Sequence, residues 1–583
     1  MAVDDVACMV RGEGPLAVAS VLDNDSDPQG SVLTIVAADP VTAEGGTAML
    51  MGDTIVYDAP GGGFWGEDWL SYTIEDPEGN QASAELHVMV WPGEIPADEL
   101  VADPHGLAIS PAGGAGRFGW TVQGGGDVDG DGIDDLLVSA PLSMGNAGLI
   151  YAVHGSVGAT SIDAADLEAG MGGFVMQGEI ANGFAGWSLA LLPDVNADGR
   201  DEVVVGAGWA NLNGVRSGRV YVLFGTDLTA PVDLADVLLG GGYVIDGAGA
   251  QAWAGWSVST LPDLNGDGRA ELAVGAPQAT DVNPTGPGWA YVLWGKDDLS
   301  PIALADVQAG VGGLGYGMIG RTGDHIGLTV QGLPDGDGDG LAELVVGSEV
   351  AAGGAGRAYM VRGQLGPAVI TMDQIATEVG GYAMEGVAGT GAGRALGQVG
   401  DLDANGIPEL LVGAPGPEGT GDGALHLVFD GWDGNLLLDA LVPPVGVTLP
   451  SPSVDVDLGW SVRGVGDLNG DGWPDLAVGA PYADGPGSDD EGAVYVVFGR
   501  ADMTTVDLAD VAQGRGGFVV TGEAAGNHAG WSVAPAGDFN ADGADDLVLG
   551  APLTGVFGFG SGRAYVVFGV TPSTPDLGAC IPD

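Results

Sequence analysis

Short apolar runs alternate with turns rich in glycine and acidic residues along most of the chain. In one repeated unit, residues 254–258 combine glycine, tryptophan and valine, an acidic loop follows, and residues 271–277 form an apolar run. Two further runs per unit, seen at residues 220–225 and 517–522, carry the β-branched and aromatic residues that favour strands. Four short strands per unit are typical of a β-propeller blade.

The acidic loop follows one nine-residue pattern: aspartate at position 1, Asp or Asn at positions 3 and 5, glycine at position 6, and Asp or Glu at position 9. It occurs seven times at intervals of 66 to 72 residues, starting at Asp127, Asp194, Asp263, Asp335, Asp401, Asp467 and Asp538. Self-similarity at a fixed period indicates a repeat architecture, in which each unit buries its faces against its neighbours. We therefore predict an all-β fold with a seven-bladed β-propeller over residues 105–569.

The first 92 residues follow a different pattern. Apolar and polar residues alternate at residues 66–74 and 84–90, and turn residues separate these runs. Such alternation predicts a small Ig-like or cadherin-like β-sandwich over residues 1–92. A proline-containing linker at 93–104 and a C-terminal tail at 570–583 complete the predicted domain organisation.

The acidic loops have the chemistry of a calcium site. Calcium takes six to eight oxygen ligands, and carboxylate or amide oxygens at positions 1, 3, 5 and 9 with the backbone carbonyl of position 7 can encircle it. Magnesium fits less well because it keeps several of its waters. We expect up to seven Ca²⁺ ions, one per blade, mainly structural rather than regulatory; the alternative is that the loops are only polar hairpin turns. The predicted ligands are Asp127, Asp129, Asp131, Ile133, Asp135, Asp194, Asn196, Asp198, Arg200, Glu202, Asp263, Asn265, Asp267, Arg269, Glu271, Asp335, Asp337, Asp339, Leu341, Glu343, Asp401, Asp403, Asn405, Ile407, Glu409, Asp467, Asn469, Asp471, Trp473, Asp475, Asp538, Asn540, Asp542, Ala544 and Asp546.

Charge and composition exclude some partners. The chain has 80 acidic and 15 basic residues, a formal charge of −65, so a nucleic-acid-binding surface and attraction to an anionic membrane are both excluded. It has no apolar stretch of about 18 residues that could span a bilayer. Cys8 and Cys580 lie at opposite ends of the chain, and we expect both to be incidental.

Two family resemblances follow from these motifs. Residues 117–120, Arg-Phe-Gly-Trp, followed by Ser-Ala-Pro at 139–141, resemble the FG-GAP repeat, whose family includes the integrin α-subunit propeller and many bacterial surface proteins. The N-terminal module resembles the cadherin-like modules that occur in tandem in bacterial adhesins. The fourth and fifth units depart from the repeat, at residues 325–327 and 396–397, and residues 431–457 fit it poorly.

These resemblances imply a calcium-stabilised extracellular module for adhesion or scaffolding. Its partner would be a protein or glycan on a surface or matrix, bound at the end of the channel opposite the calcium loops. A carbohydrate-binding lectin is the second hypothesis. The tryptophans of the Gly-aromatic strands, including Trp120, Trp187, Trp256, Trp460 and Trp531, are expected to pack between blades rather than to stack on sugars.

Catalysis is the third hypothesis, as a glycan-processing hydrolase, but no residue is predicted to be catalytic because the six histidines show no pairing with a nucleophile. Weak calcium sites would be empty in the cytosol, so we expect the protein outside the cell or on its surface. The start of the chain shows no secretory signal, which predicts either that the protein stays inside the cell or that the start is truncated.

Overall fold

The computed structural model describes residues 1–61, 63–101, 104–111, 113, 116–157, 162–225, 230–278, 286–366, 369–429, 434–484, 490–554, 560–573 and 580. The fold is all-β, as predicted, with an Ig-like β-sandwich followed by a propeller. Short helices occur between strands, at α1 (Ser143–Asn146), α2 (Ala164–Glu168), α3 (Leu304–Gln308), α4 (Ala351–Gly354), α5 (Met372–Ile375) and α6 (Leu508–Val511), with 3₁₀ turns at Glu99–Val101, Leu234–Leu239, Leu438–Ala440 and Met503–Thr505.

The N-terminal sandwich pairs two sheets, in the orders β1-β7-β6-β3 and β2-β5-β4. Its strands are β1 (Asp5–Val10), β2 (Leu16–Val18), β3 (Thr34–Ala38), β4 (Thr47–Met51), β5 (Thr54–Asp58), β6 (Gly66–Glu75) and β7 (Gln81–Trp91). Buried and less buried residues alternate along β6, as the sequence pattern predicts. Tyr57, Tyr72 and Leu86 lie in the core between the two sheets.

The propeller strands are short, and most have five or six residues. The segment from residue 93 onwards contains β8 (Glu94–Pro96), β9 (Gly106–Ser110), β10 (Val122–Gly126), β11 (Asp135–Ala140), β12 (Leu149–Val153), β13 (Ile162–Asp163), β14 (Gly173–Gln177), β15 (Ser188–Leu192), β16 (Glu202–Ala207), β17 (Arg219–Leu223), β18 (Val232–Asp233), β19 (Gly242–Asp246), β20 (Ser257–Leu261), β21 (Glu271–Ala276), β22 (Trp289–Leu293), β23 (Ile302–Ala303), β24 (Gly315–Ile319), β25 (Thr329–Leu333), β26 (Glu343–Ser348), β27 (Arg357–Val361), β28 (Val369–Thr371), β29 (Gly381–Glu385), β30 (Ala395–Val399), β31 (Glu409–Ala414), β32 (Ala424–Val428), β33 (Leu436–Leu437), β34 (Gly446–Pro450), β35 (Ser461–Gly466), β36 (Asp475–Ala480), β37 (Ala493–Val497), β38 (Gly517–Thr521), β39 (Ser532–Gly537), β40 (Asp546–Ala551) and β41 (Arg563–Val567).

Within the described residues these strands form seven antiparallel four-stranded sheets, numbered here in chain order. Sheets one to seven are β10-β11-β12-β14, β15-β16-β17-β19, β20-β21-β22-β24, β25-β26-β27-β29, β30-β31-β32-β34, β35-β36-β37-β38 and β39-β40-β41-β9. The second strand of every sheet is buried along its whole length, because neighbouring sheets cover both of its faces. The ring is closed by β9, which precedes the first sheet and forms the outer strand of the seventh.

A two- or three-residue strand extends most sheets at the outer edge. After its third strand the chain crosses to the preceding sheet, so that β18 of the second repeat pairs in parallel with β14 of the first. A helical turn follows, and its Leu234 and Val237 are buried. These short strands were not predicted, because two residues carry no periodicity.

Residues 93–101 of the predicted linker lie against the propeller. Its strand β8 pairs in parallel with β38 and occupies on the sixth sheet the edge that these short strands occupy elsewhere. Trp91 of the sandwich packs against Phe498 with ring centroids 4.8 Å apart, and both belong to one buried apolar cluster. The sandwich therefore packs directly on the sixth and seventh sheets.

The expectation that the two cysteines are incidental was wrong. Cys8 in β1 forms a disulfide with Cys580, with their Cα atoms 5.8 Å apart. Trp91 Nε1 donates a hydrogen bond of 2.7 Å to the carbonyl of Cys580. A pair separated by 572 residues gives no local sequence signal, and only the closed ring brings the two ends together.

Hydroxyl groups join neighbouring sheets at the start of the inner strands. Six serines or threonines there donate to a backbone carbonyl of the following sheet over 2.8 to 3.1 Å: Thr121, Ser188, Ser257, Thr329, Ser461 and Ser532. The fifth sheet has Ala395 at this position. The interface between the fifth and sixth sheets therefore lacks this hydroxyl.

Candidate metal sites in the acidic loops

Each acidic loop connects the inner strand of a sheet to the second strand. Loop 1, residues 127–135, joins β10 to β11, and the other six loops hold the same place in their sheets. The prediction that each loop lies within a hairpin is confirmed. The tryptophan-containing segment precedes the inner strand, so it lies at the other end of the ring.

The aspartate at position 1 organises the loop through backbone hydrogen bonds. Asp127 Oδ1 accepts from the N–H groups of Gly130 (2.6 Å) and Asp131 (3.1 Å), and its Oδ2 accepts from Gly132 (2.9 Å). The N–H of position 6 makes the same bond in all seven loops. This carboxylate holds the backbone in a tight curve around the loop centre.

Two positions of the loop have left-handed backbone. The glycines at position 6 have φ between 86° and 94°, a conformation that residues with a Cβ rarely adopt. Position 4 is also left-handed, and there Ala197, Ala404 and Ala541 have φ of 61°, 60° and 57°. The sequence analysis missed position 4, because alanine gives no sign of a strained turn.

The glutamates at position 9 place a buried oxygen at the loop centre. In loop 4, Glu343 Oε2 accepts from the N–H of Gly336 (2.6 Å), while Oε1 is buried and has no hydrogen-bond partner among the described residues. Glu202 and Glu409 have the same arrangement. In loop 3 this oxygen of Glu271 accepts from Asn265 Nδ2 (2.8 Å). A buried carboxylate oxygen without a partner costs free energy, and a cation in the loop would satisfy it.

The aspartates at position 9 use both oxygens on the backbone. Asp135 accepts from the N–H groups of Val128 (2.8 Å) and Gly155 (2.9 Å). Asp475 and Asp546 accept two backbone N–H groups in the same way. We call loops 2 to 5 the Glu loops and loops 1, 6 and 7 the Asp loops. The sequence analysis treated position 9 as equivalent in all seven.

The carboxylates that lie close enough to share a metal ion are found mainly in the Glu loops. Among the described residues, groups with ligand oxygens within 4.8 Å of one another are Asp335, Asp337, Asp339 and Glu343; Asp263, Asp267 and Glu271; Asp401, Asp403 and Glu409; and Asp127, Asp129 and Asp131. The position 9 glutamate belongs to three of these groups. Asp135 is not in the loop 1 group, and Asp129 there pairs with His154 Nδ1 at 3.0 Å.

Burial and crowding raise the pKa of the position 9 carboxyls. Desolvation, and then the neighbouring aspartates, raise the pKa of Glu202 and Glu271 to about 8 and that of Glu343 and Glu409 to about 7. Desolvation likewise raises the pKa of Asp135 to about 7, against the hydrogen bonds from Gly155 and Val128. Negative charge therefore accumulates in these loops at a cost that a divalent cation would relieve.

Aspartates at position 8 connect neighbouring loops, a role that the sequence analysis missed. Asp201 Oδ2 accepts from the N–H of Asp127 (3.1 Å), and Asp134 Oδ2 accepts from that of Asp538 (3.0 Å). Asp545 makes the corresponding bond of 2.8 Å to Asp467. Loops 6, 7, 1 and 2 are therefore linked in series, whereas position 8 of loops 3 to 6 is alanine or proline.

Five tryptophans surround the opposite mouth of the channel. We call Trp120, Trp187, Trp256, Trp460 and Trp531 the tryptophan crown. Four pairs of neighbours around the ring have centroids 4.8 to 5.0 Å apart. The crown residues pack across sheets, as the sequence predicts, and they also line a cavity at the channel mouth. Leu328 and Arg394 take the equivalent places in the fourth and fifth sheets.

Comparison with known families gives matches in both parts of the chain. Residues 1–89 match the bacterial Ig domain. Residues 118–153, 185–223, 254–293, 458–497 and 529–567 match the FG-GAP repeat. These five matches fall on sheets one, two, three, six and seven. The departures noted in the fourth and fifth repeats thus coincide with the two sheets outside the matches.

Similar proteins include a phospholipase D and integrin alpha chains. The chain is 33% identical over 175 residues to phosphatidylinositol-glycan-specific phospholipase D of Rattus norvegicus, covering 29% of this chain and 19% of that protein. It is 30% identical over 179 residues to integrin alpha-6 of Gallus gallus, covering 30% and 14%. The chain thus matches about a fifth or less of either relative's length. These similarities indicate an extracellular β-propeller protein.

Proposed function

We propose, from the premise that this chain carries FG-GAP repeats behind a bacterial Ig domain, that it is a calcium-stabilised extracellular binding protein acting in adhesion or as a surface scaffold. The observation that carries the calcium role is the buried, unpartnered Oε1 of Glu202, Glu343 and Glu409 in the acidic loops. Calcium favours such oxygen-rich loops, and integrin propellers offer the family precedent. We assign the ligands to positions 1, 3 and 5 and to the carbonyl of position 7 in every loop, and to position 9 in the Glu loops.

The calcium ions would act through the fold. Each loop closes the first hairpin of its sheet, so a bound ion would stabilise that sheet. The position 8 aspartates also link loops 6, 7, 1 and 2. At a free concentration of 100 times Kd, one site adds about 2.7 kcal/mol to the free energy of unfolding. Thermal unfolding in calcium, in magnesium and in a chelator tests this role. We expect the highest unfolding temperature in calcium, and identical melts in calcium and chelator would contradict it.

The disulfide supports an extracellular location, since disulfides persist in oxidising compartments. The part of the chain that the structure describes has no helix long and apolar enough to cross a membrane. We propose a protein ligand, as the integrin similarity suggests, bound by the loops at the crown end of the ring, outside the channel. Binding to an array of matrix proteins and glycans, in calcium and in chelator, tests this. Saturable binding to a glycan class alone would instead favour a lectin.

An enzymatic function stays open. The similarity to the phospholipase covers 19% of that enzyme. We assign no catalytic role to any residue of this chain. Release of a phosphatidylinositol-glycan-anchored protein from membranes by the purified chain would establish such an activity. We expect no release.

A further inference from the structure

The crown end of the channel encloses a cavity of about 280 Å³. The tryptophan crown lines it, and valines and leucines of the inner strands continue the lining inward. Trp120, Trp187, Trp256 and Trp531 are half-buried, so part of each indole remains accessible from the cavity. The cavity is large enough for a single six-membered ring with its substituents and too small for a folded segment of another protein.

The charge in this cavity is opposite to that of the rest of the protein. Its charged lining residues are Arg394, Arg463 and Glu349. Arg394 pairs with Glu349 at 2.9 Å, and its guanidinium lies 3.7 Å from the ring centroid of Trp460. Arg463 is left as the excess charge. A chain with formal charge −65 thus has a channel mouth with one net positive charge.

Arg463 contacts only neutral partners. Its Nη1 donates to the carbonyls of Val462 (2.9 Å) and Leu396, and among the described acidic residues none forms an ion pair with it. Its Cα lies three residues beyond that of Trp460, about 10 Å along the inner strand at 3.3 Å per residue. Its guanidinium is held beside the carbonyls of Val462 and Leu396, nearer the crown than that Cα. Desolvation lowers the pKa of this guanidinium. Arg463 is half-buried. Charges held partly away from water are normally paired, so an anion entering the channel would gain a partner that the described residues do not supply.

We propose that the channel mouth binds a small carboxylate carried on a six-membered ring, with the carboxylate on Arg463 and the flat face of the ring against the tryptophan crown. Arginine donates two parallel N–H groups to a carboxylate, which gives both affinity and orientation. Indole faces accept a flat apolar surface, either an aromatic ring or the C–H face of a sugar. The proposal goes beyond the calcium role and does not depend on it, because this cavity lies at the other end of the ring from the acidic loops.

A structural role is the alternative for Arg463. Its bond to Leu396 crosses from the sixth sheet to the fifth, the interface where Ala395 lacks the hydroxyl present elsewhere. The variant Arg463→Gln retains an amide donor for that carbonyl and removes the charge. Arg321→Gln, outside the cavity, is the matched control, because Arg321 pairs with Asp373 at 2.7 Å on the surface.

The test titrates the full chain with benzoate and with glucuronate, and with the neutral benzamide and glucose, by calorimetry and tryptophan fluorescence. We expect saturable binding of at least one carboxylate, at least about tenfold tighter than its neutral analogue, and a loss of about tenfold or more in Arg463→Gln but not in Arg321→Gln. Binding of benzoate alone assigns an aromatic ligand, and binding of glucuronate alone assigns an acidic sugar. Absence of binding by both, or equal binding in Arg463→Gln, would overturn the proposal.

A second measurement covers the case in which Arg463→Gln does not fold. Tryptophan fluorescence of the wild-type protein is quenched with iodide, an anion, and with caesium, a cation, at equal ionic strength. Caesium serves as the control for quenching that does not depend on a positively charged site. We expect benzoate or glucuronate to protect against iodide, because they occupy the same positively charged mouth. Unchanged iodide quenching at saturating concentrations of both carboxylates would overturn the proposal without any variant.

Discussion

The Glu loops and the Asp loops have the same nine-residue pattern but use position 9 differently. In loop 4 the glutamate leaves one oxygen without a protein partner, whereas in loop 6 the aspartate gives both oxygens to backbone N–H groups of Leu468 and Gly499. The glutamate side chain is longer than the aspartate side chain by one methylene group. The difference suggests that position 9 is primarily a metal ligand in the Glu loops and primarily a fold-stabilising acceptor in the Asp loops.

Replacement of Asp475 should have the largest effect on stability. The carboxylate of Asp475 accepts hydrogen bonds from two backbone N–H groups. In Asp475→Asn the amide N–H₂ faces one of these N–H groups, so one buried hydrogen bond is lost and the two donors repel each other. We expect a loss of about 3 kcal/mol in the free energy of unfolding, similar in calcium and in chelator. Urea unfolding in both buffers measures it. A loss confined to the calcium buffer would place Asp475 with the metal ligands and break the comparison.

Replacement of Glu343 should separate metal binding from folding. In Glu343→Gln one oxygen can still accept from Gly336, and the amide N–H₂ can donate to the loop aspartates where Oε1 stood. We expect the stability in chelator to rise by about 1 kcal/mol, because an unpaired buried charge is removed, and the calcium-dependent gain at this loop to fall by about 1.4 kcal/mol or more, a tenfold weaker site.

The same pair of buffers measures the Glu343→Gln effect, and Asp475→Asn serves as the matched Asp-loop variant. If Glu343→Gln destabilised the protein in chelator as strongly as Asp475→Asn does, Glu343 would be a structural acceptor. The two classes of loop would then not differ.

A hydroxyl at position 395 should stabilise the ring by the same amount in the presence and in the absence of calcium. Ala395→Ser places a donor where the equivalent Ser461 bonds to the carbonyl of Gly530 over 2.8 Å. We expect a gain of about 1 kcal/mol in both buffers, and Ser461→Ala should lose a similar amount. Chemical denaturation of both variants tests this. A gain that appears only in calcium would show that the two ends of the ring are coupled.

The smallest expected effect concerns position 4. Ala404→Gly in a Glu loop and Ala541→Gly in an Asp loop relieve left-handed alanines, and part of that gain is offset by the entropy of the unfolded chain. We expect each to stabilise by about 0.5 kcal/mol, equally in both classes, as judged by thermal unfolding in chelator. Destabilisation by either substitution would show that the alanine Cβ makes a favourable contact there.

The repeating parts of this molecule were predictable from sequence, and the parts specified by only a few residues were not. Strand pairs and acidic loops recur seven times, so periodicity reveals them. The short strand Val232–Asp233, the closure by β9 and the bond between Cys8 and Cys580 depend on contacts between distant segments.

The candidate site was predicted in composition and missed in detail. The sequence shows which acids share a loop. The sequence also shows that position 9 is a glutamate in some loops, such as Glu343, and an aspartate in others, such as Asp475. The consequence depends on whether the side chain reaches a backbone N–H, which only the folded loop defines. Arg463 gave no signal, because a single arginine in a strand has no pattern, and its isolation from acids is a property of the channel.

The most direct test of the account is a calorimetric calcium titration of the metal-free protein and of a variant with Glu202, Glu271, Glu343 and Glu409 all replaced by glutamine. The account predicts a tighter and a weaker class of sites in the wild type, with the tighter class lost in the variant and the weaker class retained. Calcium binding that is identical in the two proteins would contradict it.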